Sequence, residues 1–289
     1  MFVVTGASGK LGRLAVQHLI ERVDAAKVVA LTRTPDRAAG LGVRVRAADF
    51  DDPGSLARAF EGAERVLLVS TDALGRRVAQ HAAAIEAAAA AGARQLVYTS
   101  LVRAGEPGNP SLLAPEHRET ERVLAESGVP FTVLRHNIYP DMLHLLAPLR
   151  EAVATGVLSG GGDGDHVAYV TRADCAAVGA AILAEGGHTG QFLEVTGPAA
   201  VDRAGVAEAL AEATGRPVRY ERRTRREEAA DPAARGVAPE LVSAARQFWD
   251  DAAAGWMDVT THVVERVAGR PPVPLAEFFA GCRNELLGG

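Results

Sequence analysis

The residues best suited to chemistry come almost first. The stretch FVVTGASGKLGRLAVQHL, residues 2–19, places Gly6, Gly9 and Gly12 three positions apart, between an apolar run and an amphipathic one. In such a turn the first glycine lets the chain pass sharply from strand to helix. The second lets the backbone approach a pyrophosphate, and the third lets helix and strand pack closely. Amides from Ser8 to Leu11 at the helix start would face the phosphates, with Lys10 as an added charge. Nucleotide binding is expected here; a tight turn without ligand is the alternative.

The next apolar run selects the nucleotide. A site for NAD presents Asp or Glu about 20 residues beyond the turn, bonded to the ribose 2′-hydroxyl. Here VVALTRTPDR offers Arg33, with Arg37 nearby. A guanidinium suits a 2′-phosphate through forked, charge-assisted hydrogen bonds, so NADP(H) is the expected cofactor. Farther on, Asp49 and Phe50 could border the adenine, and Ser70, Thr71 and Asp72 could line the path of the pyrophosphate and ribose. Asn137, Ile138 and Tyr139 should face the nicotinamide end, where open α/β sheets place ligands.

These residues need a scaffold, and the hydrophobic pattern supplies one. Strands are expected at 2–5, 28–32, 43–47, 66–70, 96–100 and 131–135, and helices at 11–22, 55–60, 76–91 and 115–127. Alternation of the two implies a Rossmann-type α/β fold, a doubly wound parallel sheet with helices on both faces. The second half is less regular. In GVLSGGGDGDHVAYVTRADCAAVGAAIL a glycine turn, a strand over HVAYV and a helix are expected, and a smaller α/β lobe is appended to the nucleotide domain. The division reads as 1–152 and 153–289, with the strand and helix of 167–197 partly returning to the first domain. The charged run 219–228 reads as a solvated strand edge or loop.

With 289 residues, 48% of them hydrophobic, the chain can bury one large core or two modest ones. A formal charge of −5 argues against nucleic acid as a partner. No stretch approaches the roughly 20 apolar residues of a membrane span. No leader is read at the start, and two distant cysteines suggest neither disulfides nor zinc, so a cytoplasmic protein is expected. A homodimer is possible.

TGASGKLG, LTRTPDR, ADFDDPGSL, VYTSLVRA, EHRETERVLAESGVPFTVLRHNIY and LEVTGPAAVDRAGVAEALAEATGRPVRY together resemble the NmrA-like group of atypical short-chain dehydrogenase/reductases. Within that group the likeness is strongest to the NADPH-dependent quinone oxidoreductases of type 2. It extends over nearly the whole length. It implies NADPH on a large lobe, an organic substrate in a cleft between lobes, and hydride transfer without flavin to a quinone or related electron-poor aromatic carbonyl. The group also holds NADP(H) sensors that bind a protein partner without turnover. A tailoring reductase of an aromatic polyketide is a further enzyme reading.

Ordinary members of the wider family protonate a carbonyl with a tyrosine and a lysine four residues later. The residues four beyond Tyr98, Tyr139, Tyr169 and Tyr220 are Val102, Leu143, Ala173 and Thr224, so that pair is absent. His117 and Glu121 share a helix face in the corresponding segment. His117 is either a proton donor or a surface or cofactor-propping residue, and with Tyr139 it completes the candidate catalytic set. Phe248, Trp249 and Trp256 read as a lid for an aromatic substrate or as core. Asp163, Asp165 and His166 sit among glycines and read as a turn, so no metal is expected.

Overall fold

The computed structural model describes residues 1–161, 164–224, 227 and 238–288, leaving out the side chains of 239–241. Two compact units emerge. The first comprises Met1–His136, Arg172–Val195 and Val263–Arg270, and the second Asn137–Thr171, Thr196–His262 and Pro271–Gly289. The expected boundary at 152 thus falls inside the second unit, because the chain leaves the first at the end of its sixth strand.

In the first unit, β1 (Phe2–Val4), β2 (Val28–Thr32), β3 (Arg44–Ala47), β4 (Arg65–Leu68), β5 (Gln95–Leu101), β6 (Phe131–His136) and β8 (Gln191–Val195) form one parallel sheet in the order β3-β2-β1-β4-β5-β6-β8. Each pairing is parallel, so every connection must cross over the sheet, and helices carry the crossovers. Both faces are therefore covered, which is why β2 is buried at every position. Side chains of Val3, Leu31, Val66, Leu96 and Val133 point to the face covered by α2 (Pro53–Phe60), α3 (Arg77–Ala90) and α4 (Ala114–Glu126). The opposite face carries α1 (Lys10–Ile20) against α7 (Arg172–Glu185), with Gly179 of α7 against Leu67 and Leu134. The order reverses direction between β1 and β4, and ligands of open α/β sheets bind at the carboxyl ends of strands at such a switch point.

The second unit has its own core of Leu149, Leu158, Tyr169, Leu210, Trp249 and Phe279 among others. A two-stranded parallel sheet, β7 (Val157–Gly160) with β9 (Arg219–Arg222), packs with α8 (Arg203–Thr214). The strand expected over HVAYV is not one. Val167 makes an isolated antiparallel bridge to Val201, while the amides of Ala168 and Val170 bond the carbonyls of Met257 and Ile138. Its apolar run is buried by loops, and the strand lies before the glycines instead. In the run 219–228, β9 accounts for the first four residues; 225, 226 and 228 lie outside the described residues.

One contact fixes α1 to the sheet. A Cβ on Gly12 would lie 2.3 Å from the Gly6 carbonyl oxygen and 2.9 Å from Ala7 Cα. Backbone offers no rotamer by which to yield, so Gly12→Val must displace the helix. The expected loss is about 2–3 kcal/mol of unfolding free energy, read as a lowered urea midpoint. An unchanged midpoint would show that α1 can shift without cost.

Candidate functional site

The glycine turn is built to receive an anion. Gly6 has φ +61°, a conformation that L side chains resist, and its carbonyl accepts the Gly9 amide at 2.9 Å. Gly9 caps α1 with no side-chain hydrogen bond, and the first turn carries no acid. With no side-chain cap, the leading amides of the helix carry the positive end of its dipole. A Cβ on Gly9 would meet only the Gly6 carbonyl, at 3.2 Å, and Gly9 and Lys10 are exposed. Leu11 is half-buried against the turn. The space before Gly9 is what a pyrophosphate would fill, so these residues fit a dinucleotide.

Around the turn, side chains stitch the strand ends together. Thr32 Oγ1 donates to Ser8 Oγ at 2.8 Å and accepts the Thr34 amide, joining the turn to the exit of β2. Arg33 and Arg37 are exposed just beyond. At the exit of β3, Asp49 accepts the Asp51 amide while its own amide bonds Ser55 Oγ, and Phe50 packs partly into the core.

The exit of β4 is held most tightly. Three consecutive amides, of Val69, Ser70 and Thr71, donate to Thr5 Oγ1, Thr99 Oγ1 and His81 Nε2 at 2.9, 2.9 and 3.0 Å. Because His81 Nε2 accepts, its proton sits on Nδ1, 3.1 Å from Thr120 Oγ1, which in turn donates to the Glu116 carbonyl. The Glu116 carboxylate accepts from the Gly75 amide and from Arg77. Thr71 Oγ1 is buried with no protein partner, a hydroxyl that a bound ribose or amide would satisfy; Asp72 is exposed. Sequence reading missed His81 altogether, hidden in an alanine-rich helix.

His117 is not where a proton donor would stand. It is 5% exposed, its Nδ1 lies 2.7 Å from the Tyr98 hydroxyl, and burial, aided by Arg77, pushes it down to about 3. Neutral at physiological pH and turned into the layer between α4 and the sheet, it is a packing residue, which corrects the proton-donor expectation. Desolvation, joined by the charge of His117, likewise holds His81 and His136 at about 3. Its helix neighbour Glu121 takes a different part. Ser100 Oγ donates to Glu121 at 2.6 Å, and Arg135 bridges Glu121 and Glu194 at 2.7 and 3.3 Å. Burial pushes the Glu194 carboxyl up.

Asn137 and Tyr139 fall in the second unit. Asn137 is buried, donating to the Met257 carbonyl at 3.0 Å and accepting the Ile138 amide at 2.8 Å. Its amide thus pins the chain where it enters that unit, and Tyr139 opens a short 3₁₀ turn, Pro140–Met142. Trp249 is buried beneath Arg203, with Phe248 and Trp256 packed on the same core, so these rings are core. Asp163 lies outside the described residues; Asp165 is paired with Arg203 at 2.6 Å. Among the described residues no cluster could hold a metal.

Comparison with known proteins agrees with this cradle. Residues 6–186 match the profile of a family described as NAD(P)H-binding. The chain is 35% identical to quinone oxidoreductase 2 of Escherichia coli over 98% of this chain and 99% of that one. It is 31% identical to the NAD(P)H azoreductase of Xenophilus azovorans, over 96% of each. The crystal structure of the E. coli NADPH-dependent quinone oxidoreductase in complex with NADPH superposes with a TM-score of 0.87 at 34% identity, covering 98% of this chain and 99% of that one.

Two outcomes test the site. Gly9 tolerates a side chain on the protein side far better than Gly12, so Gly9→Val should fold normally by circular dichroism yet lose NADPH binding in calorimetric titration. Retained affinity would move the pyrophosphate elsewhere. The buried histidines predict acid lability. Above pH 6.5 each ring is neutral in both states. As pH falls toward 3, the unfolded chain takes up protons that His81, His117 and His136 refuse. Each costs up to about 1.4 kcal/mol per pH unit, and because the unfolded rings are half protonated at pH 6.5, stability should drop roughly 3 kcal/mol between pH 6.5 and 5.5. Urea unfolding at the two values measures it, and His117→Gln should remove about a third of the slope.

Proposed function

The chain belongs to the NAD(P)H-binding family, and from that premise we propose that it is an NADPH-dependent quinone reductase that works without flavin. NADPH supplies the hydride. The acceptor is a quinone or a related electron-poor aromatic, and the second proton of the hydroquinone comes from solvent.

In this reading Gly6, Ser8, Gly9, Lys10, Leu11 and Gly12 seat the pyrophosphate, and Arg33 meets the 2′-phosphate. Asp49 and Phe50 flank the adenine, while Ser70, Thr71 and Asp72 run along the ribose toward the nicotinamide. Asn137 pins the backbone of the second unit, and Tyr139 opens the turn that follows.

The observation that carries the choice of acceptor is how the acid machinery is spent. Ser100, at the end of β5, donates its hydrogen bond to Glu121, and His117 is neutral and buried on Tyr98. No tyrosine is followed by lysine at the fourth position. A simple ketone develops alkoxide charge that calls for a positioned acid. A quinone spreads that charge over its ring, so positioning suffices.

We read the enzyme as cytoplasmic, a reading that two unpaired cysteines support. Among the described residues no helix is long and apolar enough to cross a membrane.

The test is direct. Purified protein with no added flavin should oxidise NADPH in the presence of benzoquinones or naphthoquinones, followed by loss of NADPH absorbance, and leave aliphatic ketones untouched. His117→Gln should slow turnover by well under the 10²–10⁴-fold typical of a lost general acid. Efficient ketone reduction would overturn the acid argument. Tight NADPH binding with silence toward every quinone would leave a non-catalytic sensor instead.

A further inference from the structure

Beyond the exit of β2 stands a group of arginines that the chain does not neutralise. Arg33 and Arg37 are exposed and Arg13, on the second turn of α1, is half-buried. Some exposed arginines are matched, Arg22 with Glu185, Arg76 with Asp51 and Arg122 with Glu119 and Glu126. Among the described residues none of the three pairs with a carboxylate, in a chain of net charge −5. Arg13 bonds the backbone of the segment that carries Arg33 and Arg37, and positive charges brought to one segment favour a bound anion.

Arg13 is brought there by two backbone contacts. Its amide bonds the Gly9 carbonyl at 3.0 Å, setting it one turn beyond the helix cap. Its Nη2 then donates to the carbonyl of Arg37, whose own amide is bonded to the Thr34 carbonyl at 3.1 Å. Thr34 is in turn bonded through its amide to Thr32, and Thr32 to Ser8. The guanidinium is thus clipped to the segment that immediately follows Arg33, on the side of the glycine turn. One N–H is used by the clip, and the rest of the fork remains for an acceptor.

We infer that Arg13 is the second guanidinium of the 2′-phosphate subsite and determines, with Arg33, the preference for NADP(H) over NAD(H). This rests on the reading that Arg33 meets the 2′-phosphate. Arg33 reaches the phosphate from the strand end, and Arg13 reaches it from the helix. Two forks from different elements can satisfy three oxygens that one fork cannot. The Arg37 carbonyl serves as the anchor that holds the Arg13 plane, and its own side chain stays at the rim.

Calorimetric titration of NADPH, NADH, 2′-AMP and 5′-AMP into wild-type protein, Arg13→Gln and Arg33→Gln tests the assignment. Glutamine keeps a donor for the Arg37 carbonyl and a good helix former at a half-buried position, so the clip survives while the charge is lost. Arg13→Gln is expected to weaken NADPH and 2′-AMP roughly ten- to a hundredfold, as loss of a charge-assisted bond does, and to leave NADH and 5′-AMP within about twofold. The salt dependence of NADPH binding should also become shallower. Equal weakening of NADPH and NADH would make Arg13 a structural clip and overturn the inference. If Arg33→Gln discriminates and Arg13→Gln does not, the inference alone falls. If neither discriminates, the subsite itself lies elsewhere and both readings fall.

Discussion

A close approach of two backbones in the first unit, Gly12 of α1 against the Gly6 carbonyl and Ala7, sets what the rest of the site can be. With no Cβ between them, the helix starts directly above the end of β1, and its leading amides open onto the carboxyl edge of the sheet. Parallel pairing of β1 with both β2 and β4 then brings the exits of those strands to the same edge. Everything assigned to the dinucleotide in this unit sits on loops at that edge or at the start of α1, so a shift in the glycine turn would misplace them together. The sheet is buried on both faces, and burial leaves little freedom for a compensating shift.

Polar groups beneath the edge finish the work that strand pairing begins. Amides past the last ladder bond of β4 would be buried donors without acceptors, a cost of about 1–3 kcal/mol each. Thr5, Thr99 and His81 supply those acceptors, one from each neighbouring strand and one from the covering helix. The choice of histidine for the third has a consequence. An imidazolium could not accept the Thr71 amide, so the loop shape depends on a neutral ring, and desolvation keeps it neutral. The same low-dielectric layer that shapes the loop therefore makes the fold sensitive to acid.

Much of this was legible in the residues, and what was not has a common cause. The glycine spacing and the six leading strands follow from local pattern, and their ends differ from expectation by one or two residues, as hydrogen-bonded ends do. Arg33 was found because its distance from the turn carries the information. Contacts that depend on pairing between distant strands were not found. Arg135 and Glu194 lie 59 residues apart in sequence and become neighbours only through the register of β6 on β8. His117 read as a proton donor or as a surface or cofactor-propping residue, because its helix is mostly charged. Yet the charges of Glu119, Arg122 and Glu126 mark the outer face, and His117, Thr120, Glu121 and Leu124 mark the inner one. HVAYV failed for a different reason: a short apolar run looks alike whether a ladder or a set of loops buries it.

The inward turn of α4 also explains how the fold can dispense with the acid that its relatives in chemistry require. A helix that presents histidine and glutamate to the sheet must satisfy both there, and the strands oblige with the Tyr98 hydroxyl, Ser100 and Arg135. Each of those contacts removes a donor that could otherwise meet a substrate oxygen. Replacing either partner would free a buried polar group rather than create a poised acid, since a lone buried carboxylate or imidazole is costly and tends to the neutral form. Such a site can still hold a flat acceptor in line with a hydride donor. On the proposed reading it would transfer charge only to a molecule able to carry it, which favours quinone-like acceptors without any residue that recognises them.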